Sequence, residues 1–193
     1  MMKKIPFTHA HMVLKRMDLE PKELEKIDIE ISPQALVEQW FNEKSYILLA
    51  QFYAHALPMR EGLWWGKLAL DVRKSVWTDK ENALLGACEH WVRDPNEGLR
   101  RQIEAQLDKL ENDRAVRWLG QAVFWSGVGS IAPIDNPVVM PDESLYCKAL
   151  AGAVNTAAAI PEWDKFDSYY RSIFAIAKDI ADGGSGVIKE GVL

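Results

Sequence analysis

From residue 32 onwards, apolar residues recur at spacings of three and four, the period of an amphipathic α-helix. Ser32 before Pro33 is typical of a helix start, and Thr78 followed by Glu81 predicts a capping box. Similar starts and stops follow along the chain as far as residue 182. The pattern predicts one all-α domain over residues 32–182, a compact globule or short array of about seven to nine helices.

Two segments, 45–57 and 145–160, are apolar around nearly the whole helix circumference. Only Gln51 and His55 interrupt the first, and their four-residue spacing places them on one face. The second is rich in alanine and glycine, which allows neighbouring helices to approach closely. A helix that is apolar on every side belongs inside a protein, so these two segments are predicted to form its centre.

The two ends of the chain lack this regular pattern. Residues 1–31 are predicted to form a peripheral N-terminal arm, with one short helix near Pro21–Lys26. Within the arm, the apolar–charged alternation of Ile27–Ile31 has a strand period and predicts extended chain. Residues 183–193 begin with glycines and a serine and are predicted to be a flexible tail.

A long proline-containing break, Ser126–Asp142, separates two helical segments. Its prolines prevent a regular helix, yet it contains five large apolar residues: Ile131, Ile134, Val138, Val139 and Met140. The favoured interpretation is an ordered strap that packs across the 145–160 helix. The alternative is an interaction surface on the outer side of the loop, because long loops often carry function.

The net charge of −5 argues against nucleic acid as a partner. The strongest basic pair, Arg100 and Arg101, is followed by Glu104 and Asp108, which predicts a solvated helix face. No apolar run reaches the ~18 residues of a membrane span, and the N-terminus is a poor signal peptide. We therefore expect a cytoplasmic protein without membrane insertion.

No arrangement of residues predicts catalysis, a metal site or a cofactor. His9 and His11 have no third ligand nearby in sequence, and the Gly127–Ser130 turn lacks the lysine of a phosphate-binding loop. The two cysteines, Cys88 and Cys147, lie within apolar helical patterns and are expected to be buried free thiols.

The densest cluster of unusual residues runs from Arg60 to Trp65. Arg60 lies four residues before Trp64, as Glu61 does before Trp65, so a cation–π contact at a binding surface is one interpretation. The favoured one is structural, with Arg60 and Glu61 at least partly buried and bonded to backbone or to each other.

These motifs resemble those of an uncharacterised bacterial family. Residues 57–65 are similar to its LP-x-RE-x-x-WW motif, and residues 124–133 to its FWSGGS-x-AP motif, with Val128 inserted between the glycines. Members of that family are often encoded beside type VI secretion genes. The resemblance implies a bacterial helical accessory protein and carries over no catalytic residue.

The function predicted from these features is that of a non-enzymatic interaction protein, an adaptor or chaperone for a secretion system, with another protein as partner. The alternative is an enzyme or small-ligand-binding protein with a pocket beneath the 126–142 loop. The candidate binding residues are Arg60, Glu61, Trp64, Trp65, Trp125, Ser126, Ser130, Ile134 and Val138.

Overall fold

The computed structural model describes residues 2–25, 27–160 and 165–187, and these fold into α-helices without any strand. Eight of the ten α-helices in this part of the chain are seven residues or longer, which confirms the all-α prediction. Their bounds are α1 His11–Leu14, α2 Pro21–Leu24, α3 Pro33–Asn42, α4 Tyr46–Ala56, α5 Met59–Asp71, a 3₁₀ turn Lys74–Val76, α6 Asp79–Arg93, α7 Glu97–Leu107, α8 Ala115–Phe124, α9 Leu145–Ala158 and α10 Phe166–Asp182.

Side-chain caps fix several helix starts where the sequence predicts them. Ser32 Oγ accepts a hydrogen bond from Ala35 N at 3.2 Å at the start of α3. Before α6, Thr78 and Glu81 form the full capping box. Asn96 Oδ1 accepts from Leu99 N at 2.9 Å and begins α7. Because a capping bond joins residues three apart, local sequence is enough to predict it.

The centre of the fold is α9, which packs against α8, α4 and α5. Both helices predicted to be central, α4 and α9, have mostly buried residues, which confirms that prediction. Gly66 of α5 is needed for one of these contacts, because a Cβ there would collide with the side chains of Leu150 and Leu119. None of the helices in the described ranges combines the length and the apolarity needed to cross a membrane.

The N-terminal arm contributes side chains to the core, although the sequence pattern predicts a peripheral position for residues 1–31. Five of its apolar residues are at most 7% exposed: Met2, Ile5, Val13, Leu14 and Met17. Lys4 N also donates to Ala181 O at 2.8 Å, which joins the arm to α10. The charges that suggested a surface arm lie between the residues that anchor it.

Extended chain at Ile27–Ile31 is also not observed. Ile31 N donates to Asp28 O at 3.1 Å, which closes a turn, and Ile29 at its tip is 61% exposed. Lys26, the predicted end of the preceding short helix, lies outside the described residues.

The first residues of the predicted flexible tail are held against the domain. Gly183 ends α10 with a φ of +100°, and Gly184 N donates to Asp179 O at 2.8 Å. Gly186 N then donates to the Asp179 carboxylate at 2.8 Å. Residues 188–193, the rest of that tail, lie outside the described part of the chain. In the sequence the last helical pattern runs from about Glu162 to Ala181, and Glu162 also lies outside the described part.

Candidate functional site

Arg60, the first candidate binding residue, caps the end of another helix. Its Nε and Nη2 donate to Val92 O at 3.0 and 2.7 Å, and Nη2 also donates to Arg93 O at 3.2 Å. These carbonyls belong to the last turn of α6, where a cation is favourable. The predicted backbone bonding is confirmed, and the bonds to Val92 O are partly buried although Arg60 as a residue is exposed.

Glu61 is half-buried and pairs with the N-terminal arm rather than with Arg60. Its Oε1 lies 3.0 Å from Lys4 Nζ, and 48% of the Lys4 side chain is exposed. An ion pair as solvated as this contributes little to stability. Glu61 lies where α5 contacts the N-terminal arm.

The two tryptophans of this motif have different environments. Trp64 is partly exposed, its Nε1 donates to Ser185 O at 2.8 Å, and its ring has Lys67 Nζ at 5.6 Å and Arg93 Cζ at 5.7 Å from the centroid. The cation–π partners of Trp64 are thus Lys67 and Arg93, not Arg60. Trp65 is fully buried and its Nε1 donates to Ile173 O at 2.9 Å, so it belongs to the core and offers no surface.

A fully buried arginine, Arg100, binds the backbone at residues 124 and 130, beside the candidate residues Trp125, Ser126 and Ser130. Its guanidinium makes a bidentate pair with Glu97, with Nε–Oε2 and Nη2–Oε1 distances of 2.6 and 2.7 Å. Nη1 donates to Phe124 O at 2.7 Å, and Nη2 also donates to Ser130 O at 2.8 Å. Arg100 also lies over the Phe124 ring, with Cζ 4.8 Å from its centroid. The prediction of a solvated face at this position is wrong.

The Gly127–Ser130 turn lies directly on this ion pair. A Cβ at Gly129 would come within 2.7 Å of both Arg100 Nη2 and Glu97 Oε2, so the close approach requires glycine there. Gly127 has a φ of +84°, which also favours glycine. The two glycines therefore place loop backbone against the guanidinium.

The side chain of Ser130 joins the two sides of the loop. Its Oγ accepts from Ala132 N at 3.1 Å and from Val139 N at 3.0 Å. Its carbonyl accepts from Arg101 Nη2 at 2.9 Å in addition to Arg100. Of the neighbouring candidates, Trp125 is half-buried against the core and Ser126 is buried. Ser126 Oγ is buried without a hydrogen-bond partner among the described residues. The contacts of Arg100 and Arg101 with the carbonyls of Phe124, Ser130 and Ala132, together with the two bonds to Ser130 Oγ, are here called the anchor of the loop.

Beyond the anchor, the loop exposes a cluster of large apolar side chains. Ile131 N donates to Val139 O at 2.8 Å and closes the loop. The four residues Ile134, Val138, Val139 and Met140, here called the apolar tip, are 80, 76, 50 and 53% exposed. The predicted strap across the 145–160 helix is therefore wrong, because these side chains do not cover the core. Gly152 of that helix faces Trp118 of α8 instead.

The described nucleophiles and metal-ligand types form no reactive arrangement. Cys88 and Cys147 are buried free thiols, as predicted, and burial raises the pKa of Cys88 to about 12. His9 and His11 each hydrogen-bond a backbone carbonyl, of Glu30 and Ile29 respectively. Within the described ranges, no group of three or more His, Cys, Asp or Glu side chains could hold a metal ion.

A family model described as a family of unknown function (DUF6931) matches residues 36–181, which is most of the chain. The protein belongs to this family. The DUF6931 match includes Arg60, Arg100 and the whole apolar tip, whereas the N-terminal arm precedes it. The comparisons found no curated protein and no solved structure that matches.

Proposed function

We propose that this protein is a non-enzymatic interaction protein and that the apolar tip is its contact surface for another protein. The observation that carries the proposal is that four large apolar side chains are at least half exposed on a loop that is fixed at its base. Contiguous exposed apolar residues mark interaction sites in soluble proteins.

The anchor makes the tip a better contact surface than a free loop would be. Arg100 and Arg101 hold the carbonyls of Ser130 and Ala132, and Ser130 Oγ ties the two sides of the loop together. Binding by a loop that is already ordered loses less conformational entropy, so more of the contact energy becomes affinity.

We further propose that this interaction protein acts in the cytoplasm as an adaptor or chaperone for a bacterial secretion system. This role is supported by the resemblance of residues 57–65 and 124–133 to a family whose members are often encoded beside type VI secretion genes. An adaptor of this kind needs a fixed apolar surface and no catalytic centre.

The alternative, a ligand pocket beneath the 126–142 loop, requires space between the loop and the domain. At Gly129 that space is filled by Arg100 and Glu97, which leave no room for a single Cβ atom. This contact favours an interaction on the outer side of the loop over a pocket below it.

The test compares the proteins captured by the wild type with those captured by an Ile134→Ser/Val138→Ser variant in a lysate of the native host. We expect the variant to melt like the wild type, because both side chains are exposed, and to lose one or more specific partners. Ile47→Ser is the matched control, since Ile47 is 60% exposed on α4 and outside the tip. Identical partners for the wild type and the tip variant would contradict the proposal.

A further inference from the structure

An open groove lies between the N-terminal arm and the start of α3. It has a volume of about 450 Å³ and is lined by nine residues: Met2, Lys3, Ile5, Pro6, Phe7, Thr8, Ser32, Pro33 and Gln34. Met2 and Ile5 are at most 7% exposed and form its floor, whereas Lys3 and Pro6 are exposed at its rim. The groove is largely apolar and can be reached from solvent, and the proposed function uses none of its residues.

The charge at this groove is positive. Among the described residues, Lys3 is the only charged one that lines the groove, and it takes part in none of the lysine ion pairs of the described ranges. Arg16 adds a second cation nearby, because its Cζ lies 5.9 Å from the centroid of the Phe7 ring. The first acidic residue of the chain, Asp18, pairs with Lys148 of α9 instead. The groove therefore favours a partner surface that is both apolar and acidic.

The apolar tip lies in a stretch of the chain with the opposite charge. Residues 126–143 contain no Lys, Arg or His and three acidic residues, all of them exposed: Asp135, Asp142 and Glu143. Asp135 directly follows Ile134, the most exposed apolar residue of the tip. At the base of the loop, the two arginines of the anchor are balanced by Glu97 and Glu104. The tip therefore combines apolar side chains with the negative charge that the groove lacks.

We propose that the groove binds the apolar tip of a second copy of this chain, an inference that rests on the proposed function of the tip and names its partner. The contact would remove Ile134 and Val138 from water and bring the acidic residues of the tip to Lys3. The tip does not occupy the groove of its own chain, since its side chains are at least half exposed. Because the tip and the groove are different surfaces, copies associate head to tail, and the assembly extends into a chain or closes into a ring.

The test is analytical ultracentrifugation of the full chain over a range of protein and salt concentrations. We expect the average mass to rise with protein concentration and to fall with added salt, which screens exposed charges. Two variants each change one surface: Ile134→Ser/Val138→Ser changes the tip, and Lys3→Glu/Pro6→Glu places negative charge in the groove. All four positions are exposed, so both variants should fold, and each should associate at least tenfold more weakly than the wild type.

Mixing the two variants distinguishes a head-to-tail contact from any other. The groove variant keeps its tip and the tip variant keeps its groove, so an equimolar mixture should form a dimer of one copy of each and nothing larger. Ser75→Glu/Lys80→Glu changes the net charge equally at exposed positions outside both surfaces, and this control should associate like the wild type. A wild type that stays monomeric at every concentration would overturn the proposal. A mixture that stays monomeric would overturn it as well, because mixing cannot restore a contact between two tips.

Failure of this inference can be told apart from failure of the proposed function. A monomeric wild type whose tip variant still loses partners in the host lysate would overturn the contact between copies and leave the tip as a surface for a different protein. A tip variant that keeps every partner in the lysate would contradict the proposed function itself.

Discussion

Arg60 and Arg100 both donate hydrogen bonds to backbone carbonyls of another segment, but in different surroundings. Arg60 is exposed and binds the last carbonyls of α6. Arg100 is 0% exposed and binds Glu97 together with the carbonyls of Phe124 and Ser130. The local motifs predicted a partly buried Arg60 and a solvated Arg100, whereas Arg100 is the one that is fully buried.

The comparison indicates that the contribution of an arginine to stability depends on whether water can hydrogen-bond the same carbonyls once the side chain is removed. Of the carbonyls that Arg60 binds, that of Arg93 belongs to an exposed residue at the end of α6 and can be hydrated when the side chain is removed, whereas Val92 is 6% exposed. Removal of Arg100, which has no exposed surface, would take this donor from Phe124 O inside the protein, whereas Ser130 O would keep its bond from Arg101. The first contact is a helix cap, and the second supports the apolar tip.

The largest expected effect follows from removing Arg100. Arg100→Leu should lower the free energy of unfolding by about 3 kcal/mol, because the charge-assisted hydrogen bonds to Glu97 and Phe124 O are lost together and Phe124 O loses this donor inside the protein. Chemical denaturation measures this difference. Arg93→Leu is the control, since 66% of that side chain is exposed and its loss should have little effect. Equal effects of the two substitutions would contradict the distinction between buried and exposed arginines.

The next effect concerns the contact between the loop and the ion pair. Gly129→Ala should destabilise by about 1–3 kcal/mol, the usual range for overpacking, because the new methyl group meets Arg100 and Glu97 at 2.7 Å. Gly86→Ala in α6 is the matched control, as its added Cβ has no neighbour within 4 Å and alanine favours helix. A Gly129→Ala protein as stable as the wild type would show that the loop does not lie on the pair.

A smaller effect depends on pH. The hydrogen bond from Arg100 lowers the pKa of Glu97 below its ordinary value of 4.5, and the bond from Arg101 adds to this effect. A carboxyl with a depressed folded pKa stabilises above about 4.5, and that stabilisation is lost as the pH falls through the folded value. Glu97→Gln should therefore destabilise the protein at neutral pH by less than Arg100→Leu. Denaturation at several pH values should show the difference from wild type shrinking below about pH 4, whereas a constant difference would exclude this origin.

The smallest effect belongs to Arg60. Arg60→Ala should cost about 0.5–1 kcal/mol, as expected for a cation at an exposed helix C-terminus. This is less than the loss of about 3 kcal/mol expected for Arg100→Leu. Arg60→Lys should recover part of the loss, since it keeps the charge but cannot make the bidentate contact with Val92 O. A loss as large as that of Arg100→Leu would contradict the comparison.

The contacts that anchor the loop could be predicted only in part from the sequence. Glu97 and Arg100 have the spacing of a helical ion pair, and the two glycines before Ser130 indicate unusual backbone. Neither signal shows that these segments meet, because they are separated by α8 and about 30 positions of chain. The acidic residues Glu104 and Asp108 instead favoured a solvated face. The candidate residues at the loop base were thus identified, but their partner was not.

The sequence by itself determined the long helices, the caps of α3, α6 and α7 and the two central segments, since capping and helical periodicity act between residues three or four apart. Only the tertiary structure decided where long-range partners lie. It placed the apolar residues of the arm in the core, brought Arg100 beneath Ser130 and left Ile134 and Val138 exposed. It also set the polar face of α4 against that of α9. Such outcomes depend on which helices pack together, and the burial of a side chain follows from that packing rather than from its sequence neighbours.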